Sequence, residues 1–138
     1  MTHHVDPTRE TLSLFKALPR NEPVHMLNLV KLRTAAAYPD GRPATGAQAY
    51  AEYGAQSGPV FRKLGGMILW SGSPKLMLIG PPEETWDKAF IAAYPSAQAF
   101  IDMLRDPAYR AAVIHRQAAV ETSRLIRMAP RLPGEGFG

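Results

Sequence analysis

The stretch Val24–Arg33, VHMLNLVKLR, constrains this chain more than any other. Pro23 precedes it, branched and long apolar residues fill it, and it is too short for a stable isolated helix. As a strand it has two faces: Val24, Met26, Asn28, Val30 and Leu32 on one, His25, Leu27, Leu29, Lys31 and Arg33 on the other. Both faces are mainly apolar, so both sides of its sheet must be covered near the middle. The chain has 138 residues, one ordinary domain with room for a single core. One layer of helices covers one face. The second face needs something else.

Punctuation along the chain supplies the other elements. Asp6-Pro7 predicts a helix start, followed by the apolar stripe Leu12, Phe15 and Leu18, which Pro19 ends. Residues Thr34–Gly46 contain Pro39-Asp40-Gly41 and Pro43 and read as a loop. Tyr50, Tyr53, Ser57, Phe61 and Leu64 then recur at helical spacing, with Gly58-Pro59 predicting a break inside the helix. Gly65-Gly66 stops it. MILWSG and KLMLIG read as two short strands around Gly72-Ser73-Pro74, and WDKAFIAAY as another. Ser96 caps a short helix carrying Phe100, Ile101 and Leu104, and Asp106-Pro107 caps the next, to about Glu121. TSRLIRM, Thr122–Met128, is the last strand.

Setting the first helix aside, the order is β-α-β-β-α-β, the ferredoxin-like α+β unit. That unit is a four-stranded antiparallel sheet with both helices on one face. A second copy of the sheet is the simplest cover for the bare face, so a homodimer is expected. The expected division is an N-terminal helical extension over 1–22, the domain over 23–129 and a flexible tail over 130–138.

Composition removes several classes of function. There is no cysteine, which excludes a disulfide scaffold, a thiolate nucleophile and Cys-ligated zinc or iron–sulfur sites. No apolar run approaches the ~20 residues of a membrane span, and MTHHVDPTRE has no signal-peptide core, so a cytoplasmic protein without a membrane partner is expected. The formal charge is +4. Arg105, Arg110, Arg116, Arg124, Arg127 and Arg131 outnumber the acidic residues around them, as a polyanion surface would require. No Lys/Arg run accompanies them, so a solvated face is preferred and nucleic acid is disfavoured. Phosphate-loop, dinucleotide, nucleophile-elbow and zinc-helix motifs are missing, and neither a cofactor nor a metal is expected.

The residues left to carry chemistry are few. Asn28 is the only polar residue between Met26 and Val30 on its face, either a satisfied core amide or a ligand contact. Tyr50 and Tyr53 share a helix face and could aim hydroxyls into a space above the sheet. Trp70 and Trp86 offer flat surfaces to a pocket or to the core. Histidine suits acid–base work near neutrality, which singles out His25 and His115 against a plain structural role. Arg33 and Arg116 could hold an anion at a pocket mouth, or pair on the surface. Asn28, Tyr53, Trp70, His25 and Arg116 are therefore the candidate pocket residues.

The segments PVHMLNLVKLR, AYAEYG, GPVFRKLGG, WSG, WDKAFIAAYPSAQAFIDMLRDPAYRAA and TSRLI resemble the domain-of-unknown-function 1330 family. The likeness runs from about Pro23 to Arg127 and is most specific at Tyr94-Pro95-Ser96, Asp106-Pro107-Ala108-Tyr109 and Arg116. It implies a dimeric α+β barrel akin to small cofactor-independent monooxygenases, and carries no reaction of its own. Two readings of function follow. One is a protein that handles a small organic ligand in a pocket between sheet and helices, as a cofactor-free oxygenase or isomerase. The other is a non-catalytic dimeric structural or regulatory module in which these residues are core.

Overall fold

Local hydrogen bonding fixes where each helix begins. The computed structural model describes residues 3–134, 136 and 137. Helix α1, Arg9–Ala17, starts at Thr8, whose hydroxyl accepts from the Thr11 amide at 3.1 Å, while the Thr8 amide donates to the Thr11 hydroxyl. The expected Asp6 cap is corrected by this pairing; Asp6 instead faces the amide of Gln117. Helix α2, Gly46–Lys63, opens on a reciprocal box between Thr45 and Gln48. Glycine is required at its first position, because a Cβ on Gly46 would collide with the Arg33 carbonyl. Ser96 caps α3, Ala97–Arg105, and Asp106 caps α4, Pro107–Ala119, with proline at its first turn. Helix α4 hands over to a strand at Val120, just short of the expected Glu121.

The strands are β1 (Val24–Leu32), β2 (Met67–Gly72), β3 (Lys88–Tyr94) and β4 (Val120–Met128). They form one antiparallel sheet in the order β2-β3-β1-β4, with the helices on one face. This is the α+β, ferredoxin-like architecture expected from the element order. No helix among the described residues is long and apolar enough to cross a membrane.

Two expectations are corrected. KLMLIG is not a strand: residues 73–87 form a loop in which Leu76, Leu78 and Ile79 are 80%, 83% and 90% exposed. Its alternation matches a strand, but no ladder partner lies beside it in the chain. Helix α2 also runs unbroken through Pro59. Gly58 has no Cβ to crowd the proline ring, and Val60 one residue later is buried in the core, so packing holds the helix across the lost bond.

The core has two parts, and β1 spans both. Val24 and Met26 pack with Tyr94, Phe100, Met103 and Tyr109 in one cluster. Val30 packs with Tyr38, Ala49, Ala118, Ala119 and Val120 in the other. Asn28 lies on the same strand face between them. The opposite face carries Leu27 and Leu29, paired with Ile91 and Ala89 of β3, and Leu27 also faces Ile126 of β4. Trp70 and Ile126 there are 53% and 48% exposed. No helix among the described residues covers this face.

Candidate functional site

Between the two core clusters, above Asn28, lies a cavity of about 1350 Å³. Its floor includes Met26, Asn28 and Phe90 from the sheet, and its roof Tyr50, Tyr53 and Ser57 of α2 with Tyr109 and Arg116 of α4. Residues from His4 through Phe15 supply a further wall. Backbone pairing holds that segment in place: the His4 carbonyl accepts from the Ser123 amide at 2.7 Å and from its hydroxyl at 2.9 Å.

Asn28 is half-buried, and its Nδ2 donates to the carbonyl of Met26 at 3.1 Å. Its side-chain oxygen accepts no hydrogen bond from any described residue, so an acceptor is left facing the cavity. The hydroxyls of Tyr53 and Tyr109 lie 3.0 Å apart, and the Tyr50 ring packs against Tyr53 with centroids 5.5 Å apart. Burial raises the phenols of Tyr50 and Tyr109 well above the usual tyrosine value, against a weaker opposing pull from the Arg116 charge. Both are neutral hydrogen-bond donors throughout the physiological range.

Arg116 donates to the carbonyl of Val5 and, at 3.2 Å, to the hydroxyl of Ser123. Neither acceptor is charged. Among the described residues no carboxylate lies within ion-pair distance of its guanidinium.

Three of the five expected pocket residues, Asn28, Tyr53 and Arg116, thus line one space. The other two are corrected. His25 pairs with Ala93 and Met128 on the far face of the sheet, and Trp70 pairs with Ile91 there. Strand alternation forbids His25 from sharing a face with Asn28, and the bulge between Ile68 and Trp70 turns the indole the same way. Arg33 is also elsewhere, with its Nε buried and unpaired beside the loop before α2. His115 turns away from Arg116 and meets the Tyr38 hydroxyl at 2.6 Å. Trp86 is buried under Arg124, whose guanidinium sits 5.2 Å from the ring centroid. The C-terminal arginines do not form one surface: Arg116, Arg124 and Arg127 border the cavity, Arg124 from a strand position that pairs with Leu29, while Arg105, Arg110 and Arg131 lie outside its lining.

The sequence reading missed Tyr109 as the partner of Tyr53 and the N-terminal segment as a wall. Tyr109 could have been found, since it follows the Asp106-Pro107 cap on the side that Ala112 and Val113 bury.

Residues 43–129 match the family described as Domain of unknown function (DUF1330). The chain belongs to that family. Among solved structures, this DUF1330 member is similar to RPA0582, a protein of unknown function from Rhodopseudomonas palustris. The identity is 61% with a TM-score of 0.92, over 96% of this chain and 100% of that one. The methylated form of RPA0582 gives a TM-score of 0.94 over 98% of this chain and 100% of that one. A dimeric protein of unknown function and ferredoxin-like fold from Bacteroides fragilis is 16% identical, with a TM-score of 0.50 over 78% of this chain and 95% of that one. SnoaB, a cofactor-independent oxygenase from Streptomyces nogalater, is also 16% identical, with a TM-score of 0.53 over 83% and 99%. At that identity the last two likenesses establish the fold alone. No curated protein matches the chain.

Proposed function

We propose that this protein handles a small organic molecule in the cavity above Asn28, as a homodimer and without a cofactor, by oxygenation or isomerisation. The observation that carries the reading is the cavity itself. A close-packed interior leaves few voids larger than a water molecule. Here a volume of about 1350 Å³ is bordered by apolar side chains and by polar groups that include the Asn28 amide, the phenols of Tyr50, Tyr53, Tyr94 and Tyr109, and the half-buried Arg116 guanidinium.

Oxygenation and isomerisation without a cofactor share a first step, transfer of a proton from an activated carbon or a phenol to a base, for which the cavity offers the Asp6 carboxylate or solvent water at its open side. The conjugate anion then reacts with dioxygen or is reprotonated at another position. Neutral phenols and a fixed cation stabilise such an anion. The fold likeness to SnoaB agrees with the oxygenase version. In this reading 23–129 form the barrel domain, and the segment before it adds a wall to the cavity. The far face, with Leu27, Leu29, Trp70, Ile91 and Ile126, is the dimer surface, in keeping with the dimeric state of the Bacteroides fragilis protein.

The test follows phenolic and enolisable compounds by proton NMR in deuterated buffer, with oxygen uptake recorded in parallel. Enzyme-dependent exchange of a carbon-bound proton, or oxygen uptake that persists after exhaustive dialysis against chelator, is the expected result. A panel that shows neither overturns the catalytic reading.

A further inference from the structure

The charges around the cavity are one-sided. Among the described residues Arg62, Lys88, Arg116, Arg124 and Arg127 border it, against one acidic residue, Asp6. Two of these cations are already matched, Arg124 by Glu84 at 3.7 Å and Arg127 by Glu22 at 4.0 Å. Asp6 accepts from the Gln117 amide. Arg62 and Lys88 are exposed, so solvent screens them. Arg116 differs from both: it is half-buried, its plane is fixed by Val5 and Ser123, and its charge meets no carboxylate among the described residues.

A guanidinium has five N–H donors, and the two acceptors that hold Arg116 leave three free. A half-buried cation served only by neutral acceptors keeps part of its desolvation cost, which an anion beside it offsets. The phenols add a second count. Tyr53 and Tyr109 bring two hydroxyl hydrogens to one shared contact, so one hydrogen remains for a ligand oxygen. The Asn28 oxygen is an acceptor on the floor below.

We propose that the ligand of this cavity is an aromatic carboxylate. Its carboxylate sits on Arg116, its ring lies among Phe90, Tyr50 and Tyr53, and a ring oxygen meets the Tyr53–Tyr109 hydroxyl pair. One fixed arginine with a planar fork suits a monoanion. A phosphate dianion calls for several converging amides or cations, and the groups shown beside Arg116 are the Val5 carbonyl, the Ser123 hydroxyl and the phenols of Tyr50 and Tyr109. Arg62 and Lys88 raise the local concentration of an anion without choosing its shape. This inference rests on the reading of the cavity as a ligand site and adds the ligand class.

The test compares hydroxynaphthoate with its neutral amide, hydroxynaphthamide, by intrinsic fluorescence of the probe and by calorimetry on the full chain. The acid is expected to bind at least about tenfold tighter than the amide, the worth of one charge-assisted pair. Arg116→Gln is expected to erase that difference, and Arg116→Lys to restore part of it. Comparing the two probes on the unmodified protein keeps the question open even if Arg116→Gln unfolds. Equal binding of acid and amide overturns the carboxylate assignment while leaving the cavity a ligand site. Failure of both probes, together with neutral naphthol, overturns the carboxylate assignment and the ligand-site reading together. Tighter binding of the acid that Arg116→Gln leaves intact in a folded protein overturns the role of Arg116.

Discussion

The Tyr53 and Tyr109 hydroxyls meet at 3.0 Å, one carried by α2 and the other by α4, with their rings edge to face at a centroid distance of 6.1 Å. The contact ties the two long helices together where the cavity meets the core cluster of Tyr94, Phe100 and Met103. Structure and site share a bond here.

Replacing Tyr53 with Phe removes that bond and leaves the Tyr109 hydroxyl, which is buried, without a protein partner. The expected loss of stability is about 0.5–1.5 kcal/mol, measured by urea denaturation. An unchanged midpoint would mean that the Tyr109 hydroxyl is already served from the cavity and that the helix tie contributes nothing.

Ile126→Glu places a charge on the far face of the sheet, at a residue 48% exposed in the single chain. The unmodified protein is expected at twice the 15.1 kDa chain mass in sedimentation at micromolar concentration, and the variant at once that mass with its helix signal retained. A monomeric parent protein, or a variant that still dimerises, contradicts the assignment of this face.

Pro59 withholds a backbone donor in the middle of α2 and is exposed, so nothing but the helix depends on its ring. Pro59→Ala is expected to raise stability by about 1–3 kcal/mol, the helix-propensity gain less the added freedom of the unfolded chain. A lower melting temperature would show that the ring packs favourably where it stands.

Alkali should unfold this protein through its tyrosines. Burial raises Tyr50, Tyr94 and Tyr109 above the ordinary value of 10.0, so these groups ionise more readily in the unfolded chain. Their contribution to stability is complete below pH ~10 and is lost as pH rises above it. Tyrosinate absorbance from these three should therefore appear together with loss of near-ultraviolet circular dichroism. Their ionisation in a protein that keeps its fold would contradict the burial.

Much of the fold was legible because its signals are local. The Ser96 and Asp106 caps, the two-faced run Val24–Leu32 and the helical spacing of Tyr50, Tyr53 and Phe61 each depend on neighbouring residues only. Local signals also misled. Lys75–Gly80 alternates like a strand, yet a strand needs a ladder partner and the loop has none. Pro59 breaks an isolated helix, but here tertiary packing outweighs its propensity. Of the candidate site, Asn28 and Tyr53 could be placed by periodicity. His25 could have been rejected by the same rule, one odd-numbered position from the wrong face. Trp70 could not, since the β2 bulge that reverses its parity leaves no mark in the sequence. The unpaired state of Arg116 is a property of distant groups, Val5 and Ser123, and no spacing within α4 encodes it.

The central claim is that the space above Asn28 is a ligand site, and Asn28→Leu tests it most directly. The Asn28 amide donates only to Met26 in its own strand, so an apolar residue of similar size costs the fold little. Thermal denaturation and hydroxynaphthoate binding, measured on the same variant and its parent, separate the two roles. The account predicts a melting temperature close to that of the parent and binding weakened several-fold. A fallen melting temperature with unchanged binding would return Asn28 to the core and contradict the claim.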